Sequence, residues 1–397
     1  MEADAPRGLL RDFDRLVAPR MERTRKHSLS DTLTIAICAV ICGADGWGQV
    51  EEFGDCKKEW LRTFLDLPNG IPSHDTFGRV FAKLDPQAFE ECFMEWITKL
   101  ATTSQGRLVA IDGKTIRRSL DAANGKAAIH MVSAWGAANQ MVLGQLATDA
   151  KSNEITAIPK LLKLLDLDGA VVTIDAVGCQ KKIARQIVDQ GGHYILQLKG
   201  NQGTLHKETE MLFSQCLTDD CRGISYTTAA TTNGGHGRIE ERRIWATSEV
   251  GWFAEKNKWK NLRCLIRVQA KRTVDGKTST EYRYYITDLP ADNASGLLAY
   301  IRGQRGVENN LHWCLDVSFR EDDCRIRKGH AAENFSRLSR IALNLLKSWK
   351  TNNGGIKTKR LCCGCDRNYL LKVLTGGIWM RLPCHGKYPA LTRRPFL

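Results

Sequence analysis

Apolar residues recur at helical spacing through the first hundred positions of the chain. The apolar run 33–42 follows Ser28 and Ser30, and either serine can cap the N-terminus of a helix over that run. The glycine-containing stretch 46–54 is predicted to be a turn. Further helical patterns follow it, so residues 1–104 are predicted to form a helical N-terminal domain.

The pattern of apolar positions changes after residue 107 to the alternation and short apolar runs that are typical of β-strands. The predicted elements are strands at 108–111, 129–135 and 141–146, a helix at 155–165, a strand at 170–174, a helix at 181–189 and a strand at 194–198. Three strands followed by alternating helices and strands is the order of a ribonuclease H-like domain, in which a mixed sheet lies between helices. The predicted fold class is therefore α/β, with this domain over residues 105–348.

Strand patterns return between about residues 200 and 290, with a turn at Asp275-Gly276. This stretch is predicted to be a β-rich insertion in the α/β domain. Beyond it, Asp292 or Ser295 can cap a long helix that runs to about Trp313.

The positive charge of the chain is concentrated near its C-terminal end. The net charge is +14, and residues 324–397 hold 16 Lys and Arg against two acids, so this stretch alone accounts for the excess. A concentrated basic region attracts polyanions, because each phosphate that it neutralises releases counterions. Nucleic acid is the expected partner, and a basic tail that only keeps the protein soluble is the alternative. Residues 349–397 are predicted to form a basic C-terminal segment.

Two aspartates follow apolar strands of the predicted sheet. Asp112 closes the run 108–111 and Asp175 closes the run 171–174. A carboxylate beside a buried strand is costly to desolvate unless it is paired or binds a cation. If the two strands are neighbours, both side chains emerge at one edge of the sheet. Two Mg²⁺ or Mn²⁺ ions held there by carboxylate oxygens can support phosphoryl transfer, so a metal site is predicted.

The third acid that such a site needs is predicted to be Glu308, on the long helix after the insertion. Asp175 lies 63 positions after Asp112, and Glu308 lies 133 positions after Asp175, so only the fold can bring them together. The alternative is that the aspartates cap turns and that Glu308 pairs with Arg305 on the helix surface. The occurrence of all three in this strand and helix order favours the catalytic interpretation.

A series of short motifs runs along most of the chain. They are Arg25-Lys26-His27-Ser28, Gly70-Ile71-Pro72-Ser73-His74-Asp75-Thr76-Phe77, Ile111-Asp112-Gly113-Lys114, Thr173-Ile174-Asp175-Ala176, Gly178-Cys179-Gln180, Leu198-Lys199-Gly200-Asn201-Gln202, Gly235-His236-Gly237-Arg238, Leu311-His312-Trp313 and Leu370-Leu371-Lys372-Val373-Leu374. In these motifs the chain resembles the H-repeat-associated group of bacterial insertion-sequence transposases with a DDE triad. The resemblance implies a metal-dependent DNA transposase that cuts and rejoins the ends of an insertion sequence, with Asp112, Asp175 and Glu308 as its triad.

The chain departs from that group just before Glu308. The group commonly has His-Trp where this chain has Gln304-Arg305. The aromatic can pack the helix or take an extruded base, whereas a cation one turn from Glu308 can pair with it. Two alternatives therefore stand beside an active transposase: a catalytically inactive, transposase-derived DNA-binding protein, and a structure-selective nuclease that cuts without joining. The group's pattern also fades after about Leu374.

Five further side chains are predicted to contact DNA, namely Lys114, Lys199, Arg238, Arg305 and His312. For each of them the alternative is an ordinary solvated or packed position at a strand end, in a turn or on the helix.

The N-terminus does not have the pattern of a signal peptide, and no apolar run approaches the roughly 20 residues that span a bilayer. No membrane association is expected. The expected location is the bacterial cytoplasm at the nucleoid, with element ends and target DNA as partners, and a homodimer is left open.

Overall fold

The computed structural model describes residues 13, 15–19, 26–100, 108–121, 125–148, 153–218, 224–235, 237–253, 255–350 and 354–375. The helices in this part of the chain are α1 (Leu29–Cys42), α2 (Trp47–Cys56), α3 (Lys58–Leu61), α4 (His74–Lys83), α5 (Pro86–Leu100), α6 (Glu154–Leu164), α7 (Lys181–Asp189), α8 (Gly203–Thr218), α9 (Ala294–Val307), α10 (Trp313–Phe319), α11 (Ala331–Ser348), α12 (Ile356–Cys365) and α13 (Arg367–Leu374). The strands are β1 (Leu108–Thr115), β2 (His130–Gly136), β3 (Met141–Ala147), β4 (Val171–Ile174), β5 (His193–Leu198), β6 (Thr227–Gly235), β7 (Arg238–Thr247), β8 (Cys264–Val274) and β9 (Lys277–Thr287). His236 and residues 376–397 of the predicted basic segment lie outside the described residues.

Helix α1 begins and ends where local chemistry predicts. Of the two candidate caps, Ser28 is the one used, and its hydroxyl accepts a hydrogen bond from the backbone N–H of Asp31 at 2.9 Å. Gly43 ends the helix with φ at 126°, a conformation that favours glycine. Nearly all of α1 is buried, so this helix forms part of the core.

The turn predicted at residues 46–54 is wrong, because helix α2 covers most of that stretch. The ring of Trp47 stacks on Phe81 with a centroid separation of 4.7 Å. Gly54 packs so closely that a Cβ there would lie 2.5 Å from the side chain of Ile71. These tertiary contacts outweigh the low helix propensity of glycine, which is the signal that predicted a turn.

The described strands form one nine-stranded sheet in the order β3-β2-β1-β4-β5-β9-β8-β7-β6. Strands β1, β4 and β5 run parallel, and the remaining neighbours are antiparallel. The predicted order of three strands followed by alternating helices and strands is confirmed as far as β5. The strands of the predicted β-rich stretch then extend the same sheet, because β9 pairs with β5 along Ile195–Leu198. The prediction of strands from about residue 200 is wrong for the first part of that stretch, which forms helix α8.

The buried apolar side chains form two clusters, one on each face of the sheet. Among the described helices that contribute to these clusters, α9 lies alone on its face of the sheet. Its residues Leu297, Leu298 and Ile301 pack against apolar side chains of β4, β5 and β7 to β9, and the other helices line the opposite face. A Cβ on Gly303 would collide with the side chain of Leu108, so glycine lets α9 approach β1 closely. Its N-cap is Asn293 and neither Asp292 nor Ser295, since Asn293 Oδ1 accepts the Gly296 backbone N–H at 2.9 Å.

Helix α11 is buried along nearly its whole length, charged residues included. Arg337 is fully buried and its Nε lies 2.7 Å from Oε2 of Glu90. Arg340 is also fully buried and its Nη1 lies 2.5 Å from Oε1 of Glu321. Buried ion pairs of this kind bind one part of the chain to another and leave no charge free for a partner.

Helix α12 also directs basic side chains into the protein. Lys359 donates a hydrogen bond to the carbonyl of Leu346 at 3.0 Å, and Arg360 donates to the carbonyl of Val40 at 2.7 Å. Both side chains are buried. Four of the 16 basic residues counted in 324–397, namely Arg337, Arg340, Lys359 and Arg360, are therefore buried and cannot contact DNA in this structure.

Within the described residues, no single helix is both long and apolar enough to cross a membrane. The pair α1 and α2, bent by 96° from each other, meets criteria of length and composition only when the two are taken together.

Candidate active site

Asp112 and Asp175 lie side by side because their strands are parallel neighbours. Ile111 of β1 is in register with Ile174 of β4, and the two aspartates are the next residues along each strand. Strand β4 ends at this point, as predicted, but β1 continues to Thr115. The prediction that Asp112 closes its strand is therefore wrong, because β1 goes on pairing with β2 after β4 has ended.

Glu308 comes from the helix that crosses the sheet. It begins a π-helical turn, Glu308–His312, between α9 and α10. Such turns insert an extra residue into a helix and are frequent at functional sites. The structure brings Asp112, Asp175 and Glu308 into the lining of one pocket of about 240 Å³.

The carboxylates in and near the pocket repel one another. Burial, and then the charge of Asp175, raise the pKa of Asp112 to about 7, with smaller contributions from Glu154 and Glu308. Burial, and then the charge of Glu154, raise the pKa of Asp175. Desolvated carboxylates with like-charged neighbours are typical of sites that bind a cation or transfer a proton.

Asp175 also caps the turn that follows it, which is the structural role that the sequence left open. Its Oδ1 accepts the backbone N–H of Val177 at 3.1 Å and that of Gly178 at 3.4 Å. Both bonds use the same oxygen. The capping role and a role in the pocket are therefore compatible.

The acids do not form a ready-made metal cluster. In the described ranges, no three Asp, Glu, His or Cys side chains are close enough together to hold an ion. The donor chemistry nevertheless fits a hard divalent cation, since the pocket offers carboxylate oxygens whose repulsion a cation relieves. A metal here would have to draw the side chains inward.

Two of the predicted DNA contacts, Lys199 and Arg305, line the same pocket as the acids. Arg305 is half-buried, and no ion pair joins it to Glu308 among the described residues. Its electrostatic neighbours are instead Arg283 and Arg242 on the strands beyond β5, together with Tyr285 and Glu281. Arg283 also lines the pocket together with Glu281, and its Nε lies 2.8 Å from Oε1 of that acid. We call Lys199, Arg283 and Arg305 the cationic wall of the pocket.

Lys114 points into the protein and not toward solvent. It is 8% exposed, and its Nζ lies 2.7 Å from Asp316, 2.9 Å from Asp322 and 3.4 Å from Glu321. These acids belong to α10 and the turn after it, so Lys114 ties β1 to the chain segment that follows the π-helical turn. This geometry gives Lys114 a structural role as the shared cation of three acids. Its predicted contact with DNA stays a prediction.

His312 and Arg238 occupy very different positions. His312 is 14% exposed and its Nδ1 lies 3.5 Å from Oδ2 of Asp112, so it belongs to the pocket's surroundings. Arg238 begins β7 at the far end of a hairpin, is 51% exposed, and lies 3.9 Å from Glu240. It is not part of the pocket lining, so a DNA contact there would be separate from the acids.

Sequence reasoning missed two further acids, Glu281, which lines the pocket, and Glu154 in the first turn of α6, which lies near it. Oε1 of Glu154 lies 2.6 Å from Nε2 of His130, whose Nδ1 is 2.8 Å from the Thr115 hydroxyl. A Cβ on Gly113 would collide with both Glu154 and His130. The Asp112-Gly113 pair was available as a signal, because a glycine beside a candidate acid often marks close approach of another group.

Another residue that the sequence did not assign is Gln304. Its amide nitrogen donates a hydrogen bond to the carbonyl of Ile111 at 2.9 Å. Its amide oxygen accepts one from the hydroxyl of Thr173. The sequence singled out this position as a departure from the resembled group, but its contacts could not be foreseen.

Two family models match the chain. Residues 10–97 match the one described as "DDE_Tnp_1-associated", and residues 103–345 match the one described as "Transposase DDE domain". Since the second match covers more than half of the chain, this protein belongs to the DDE transposase family.

The resemblance to the H-repeat-associated group is confirmed by relatives from Escherichia coli. "Putative transposase YncI" of strain O157:H7 is 43% identical over 359 residues, which is 89% of this chain and 91% of the relative. "H repeat-associated putative transposase YhhI" of strain K12 is 41% identical over 370 residues, 91% of this chain and 96% of the relative. A shorter K12 relative, "Inactive transposase YbfQ", is 49% identical over 57 residues, 14% of this chain and 68% of its own.

Proposed function

We propose that this member of the family is an active transposase that cuts and rejoins the DNA ends of an insertion sequence at the pocket described above. The observation that carries the proposal is the convergence of Asp112, Asp175 and Glu308, from two neighbouring parallel strands and the helix across them, in one pocket. Residues 133 positions apart in the chain do not meet in this way by local structure alone.

Asp112, Asp175 and Glu308 would hold Mg²⁺ or Mn²⁺ through their carboxylate oxygens. Bound there, the ions would activate the attacking oxygen and stabilise the leaving oxygen of a phosphodiester. The protein supplies the negative charge that attracts the ions and the sheet edge that keeps Asp112 and Asp175 adjacent. Glu308, which is exposed, can follow the ions into place.

The cationic wall gives the same pocket a means of holding DNA. Lys199, Arg283 and Arg305 line it together with the acids, so a phosphodiester that enters the pocket would meet positive charge as well as the metal-holding acids. Lys114, Arg238 and His312 remain predicted DNA contacts. Of these, only Arg238 is more than half exposed in its side chain.

We further propose that the catalytic domain is ribonuclease H-like. Three antiparallel strands followed by two parallel ones, in the order β3-β2-β1-β4-β5, support this fold. The domain limits proposed are a helical domain at 1–104, the catalytic domain with its β-rich insertion at 105–348, and a basic segment at 349–397. DNA is the partner that the family implies, and we propose a cytoplasmic location at the nucleoid and leave a homodimer open.

The test is strand transfer with the full-length protein. A labelled DNA carrying the sequences that flank the gene is incubated with supercoiled target DNA and Mg²⁺ or Mn²⁺, and joined products are measured. Joining supports a transposase, whereas cleavage without joining favours a structure-selective nuclease. Binding of the ends with neither reaction in either metal favours the inactive DNA-binding protein.

A further inference from the structure

Gln304 connects three elements of the proposed site through one side chain. It lies on α9 one turn before Glu308. Its amide donates to the carbonyl of Ile111, the residue before Asp112, and accepts from the hydroxyl of Thr173, two residues before Asp175. Thr173 and Asp175 both line the pocket, so the hydroxyl that Gln304 contacts belongs to the same site as that carboxyl group.

We propose that Gln304 is a positioning residue that sets the separation of the three carboxylates. The inference rests on the proposed function, since it assigns Gln304 a task only if Asp112, Asp175 and Glu308 hold metal together. Gln304 itself does not touch the reacting atoms in this assignment. It acts through the strand ends on which Asp112 and Asp175 stand and through its own helix, which carries Glu308.

The position of these two hydrogen bonds explains why the Gln304 amide can affect the separation of the carboxylates. Ile111 and Ile174 are the last residue pair in register between β1 and β4, so the strand ladder stops holding the two strands together just before the aspartates. Gln304 adds a hydrogen bond to each strand at that point. A planar amide that uses its donor and its acceptor at once fixes the distance and the angle between both strands and the helix.

The apolar contacts of α9 separate this positioning role from folding. Leu297, Leu298 and Ile301 are buried against the sheet, and Asn293 caps the helix. These contacts do not involve the Gln304 amide. Loss of the amide should therefore leave α9 on the sheet but allow the carboxylates to move relative to one another.

The experiment compares Gln304→Met, which keeps the side-chain length and loses both hydrogen bonds, with the wild type. Arg302→Met is the matched control, because Arg302 lies on the same helix but does not line the pocket. Mn²⁺ binding is measured by calorimetry on the full-length protein, beside DNA affinity and the temperature of unfolding. Partners that orient metal ligands change metal affinity by about 10- to 100-fold, so Gln304→Met should weaken Mn²⁺ binding by at least about tenfold. DNA affinity should stay within about twofold in both variants.

Thr173 provides an independent comparison if Gln304→Met unfolds. Thr173→Ser keeps the hydroxyl that donates to Gln304, and Thr173→Val removes it without changing the shape of the side chain. Mn²⁺ should bind more tightly to Thr173→Ser than to Thr173→Val. A merely structural role would lower the unfolding temperature and leave Mn²⁺ affinity unchanged below it.

The outcomes distinguish this inference from the proposed function. Equal Mn²⁺ affinity in wild type and Gln304→Met, or in the two Thr173 variants if the former does not fold, overturns the positioning role. If the wild type binds Mn²⁺ no better than Asp112→Asn does, the metal site itself is wrong and the proposed function fails with it.

Discussion

Nδ1 of His312 lies 3.5 Å from Oδ2 of Asp112. Burial, and then the charges of Arg340 and Lys114, lower the pKa of His312 to about 4, whereas the pKa of Asp112 is raised to about 7. The usual order of a histidine and an aspartate is therefore reversed. Near neutral pH the imidazole of His312 is uncharged.

Asp112 should make the metal-free protein less stable as the pH rises. The unfolded chain releases its proton near the ordinary value of 3.8, while the folded state keeps it up to about pH 7. The contribution of Asp112 to the free energy of unfolding is thus fully present below about pH 4 and is lost as the pH rises through 7. Asp112→Asn cannot ionise, so its unfolding temperature relative to wild type should rise by roughly 2 to 4 °C between pH 4 and pH 8. Thermal unfolding with a chelator present measures this, and a constant difference between the two proteins would contradict it.

The carboxylates themselves should be needed for DNA cleavage and not for DNA binding. Asp112→Asn, Asp175→Asn and Glu308→Gln keep side-chain size but remove the charge that holds the metal. Each should lower the cleavage rate by about 10³-fold, equivalent to roughly 4 kcal/mol, with end-DNA affinity within severalfold of wild type. Ca²⁺ should support binding without cleavage.

The matched control for this series is Asp292→Asn, because Asp292 is an exposed aspartate that does not line the pocket. It should cleave at the wild-type rate. Wild-type cleavage by any one of the three pocket variants would remove that residue from the proposed triad.

Arg305 should contribute one phosphate contact to DNA binding. Arg305→Gln removes the charge from the cationic wall, so the slope of log affinity against log salt should fall by about one. Arg305→Trp should show the same change, since it also removes the charge. Filter-binding or fluorescence titrations over a range of salt give the slopes. If Arg305→Trp alone cleaves faster than wild type, the aromatic ring typical of the H-repeat-associated group is what the pocket lacks.

Lys114 should matter for stability and not for DNA. Lys114→Met would leave Asp316, Glu321 and Asp322 clustered without their shared cation, which should destabilise the fold by on the order of 3 kcal/mol. The salt slope of DNA binding should not change. Lys163→Met, at an exposed position on α6, is the control for loss of a single positive charge. A folded, stable Lys114→Met protein with a smaller salt slope would restore the predicted DNA contact.

Removal of residues 376–397 should weaken DNA binding without unfolding the protein. This stretch has no acidic residue, and its basic residues are Arg381, Lys387, Arg393 and Arg394. The salt slope should fall by no more than about four. Removal of 324–397 should instead yield no folded protein, since it deletes buried α11. Circular dichroism and DNA titration separate the two effects, and an unchanged slope after removal of 376–397 would leave that stretch without a DNA-binding role.

The parts of the fold that sequence could predict are those with local causes. Helix α7 and strand β4 follow from their apolar patterns, and the helix also from the Gly191-Gly192 pair after it. Both were predicted within a residue of their observed bounds. Helix α2 was missed because what stabilises it is remote. Trp47 needs Phe81 and Gly54 needs Ile71, and neither partner is visible in the local pattern.

The same distinction applies to the candidate site. Asp112 and Asp175 could be predicted because each follows an apolar run in the sequence, and the order of elements predicted that their strands are neighbours. The assignment of Gln304 could not be made in that way, since its partners lie 193 and 131 positions away. Glu154 lies near Asp112 because the first turn of α6 contacts His130 of β2, and no periodicity in the sequence encodes that contact.

The hydrogen bond from Arg360 to the carbonyl of Val40 joins residues 320 positions apart. Helix α1 thus obtains part of its packing only from helices near the other end of the chain, including α11 and α12. During synthesis on the ribosome, the N-terminal helices emerge long before those partners exist, and contacts of such separation slow folding. A message cut short before α11 should therefore yield no partially active fragment but an aggregation-prone chain that proteases remove. Functional protein would then appear only after translation of the chain has passed these C-terminal helices.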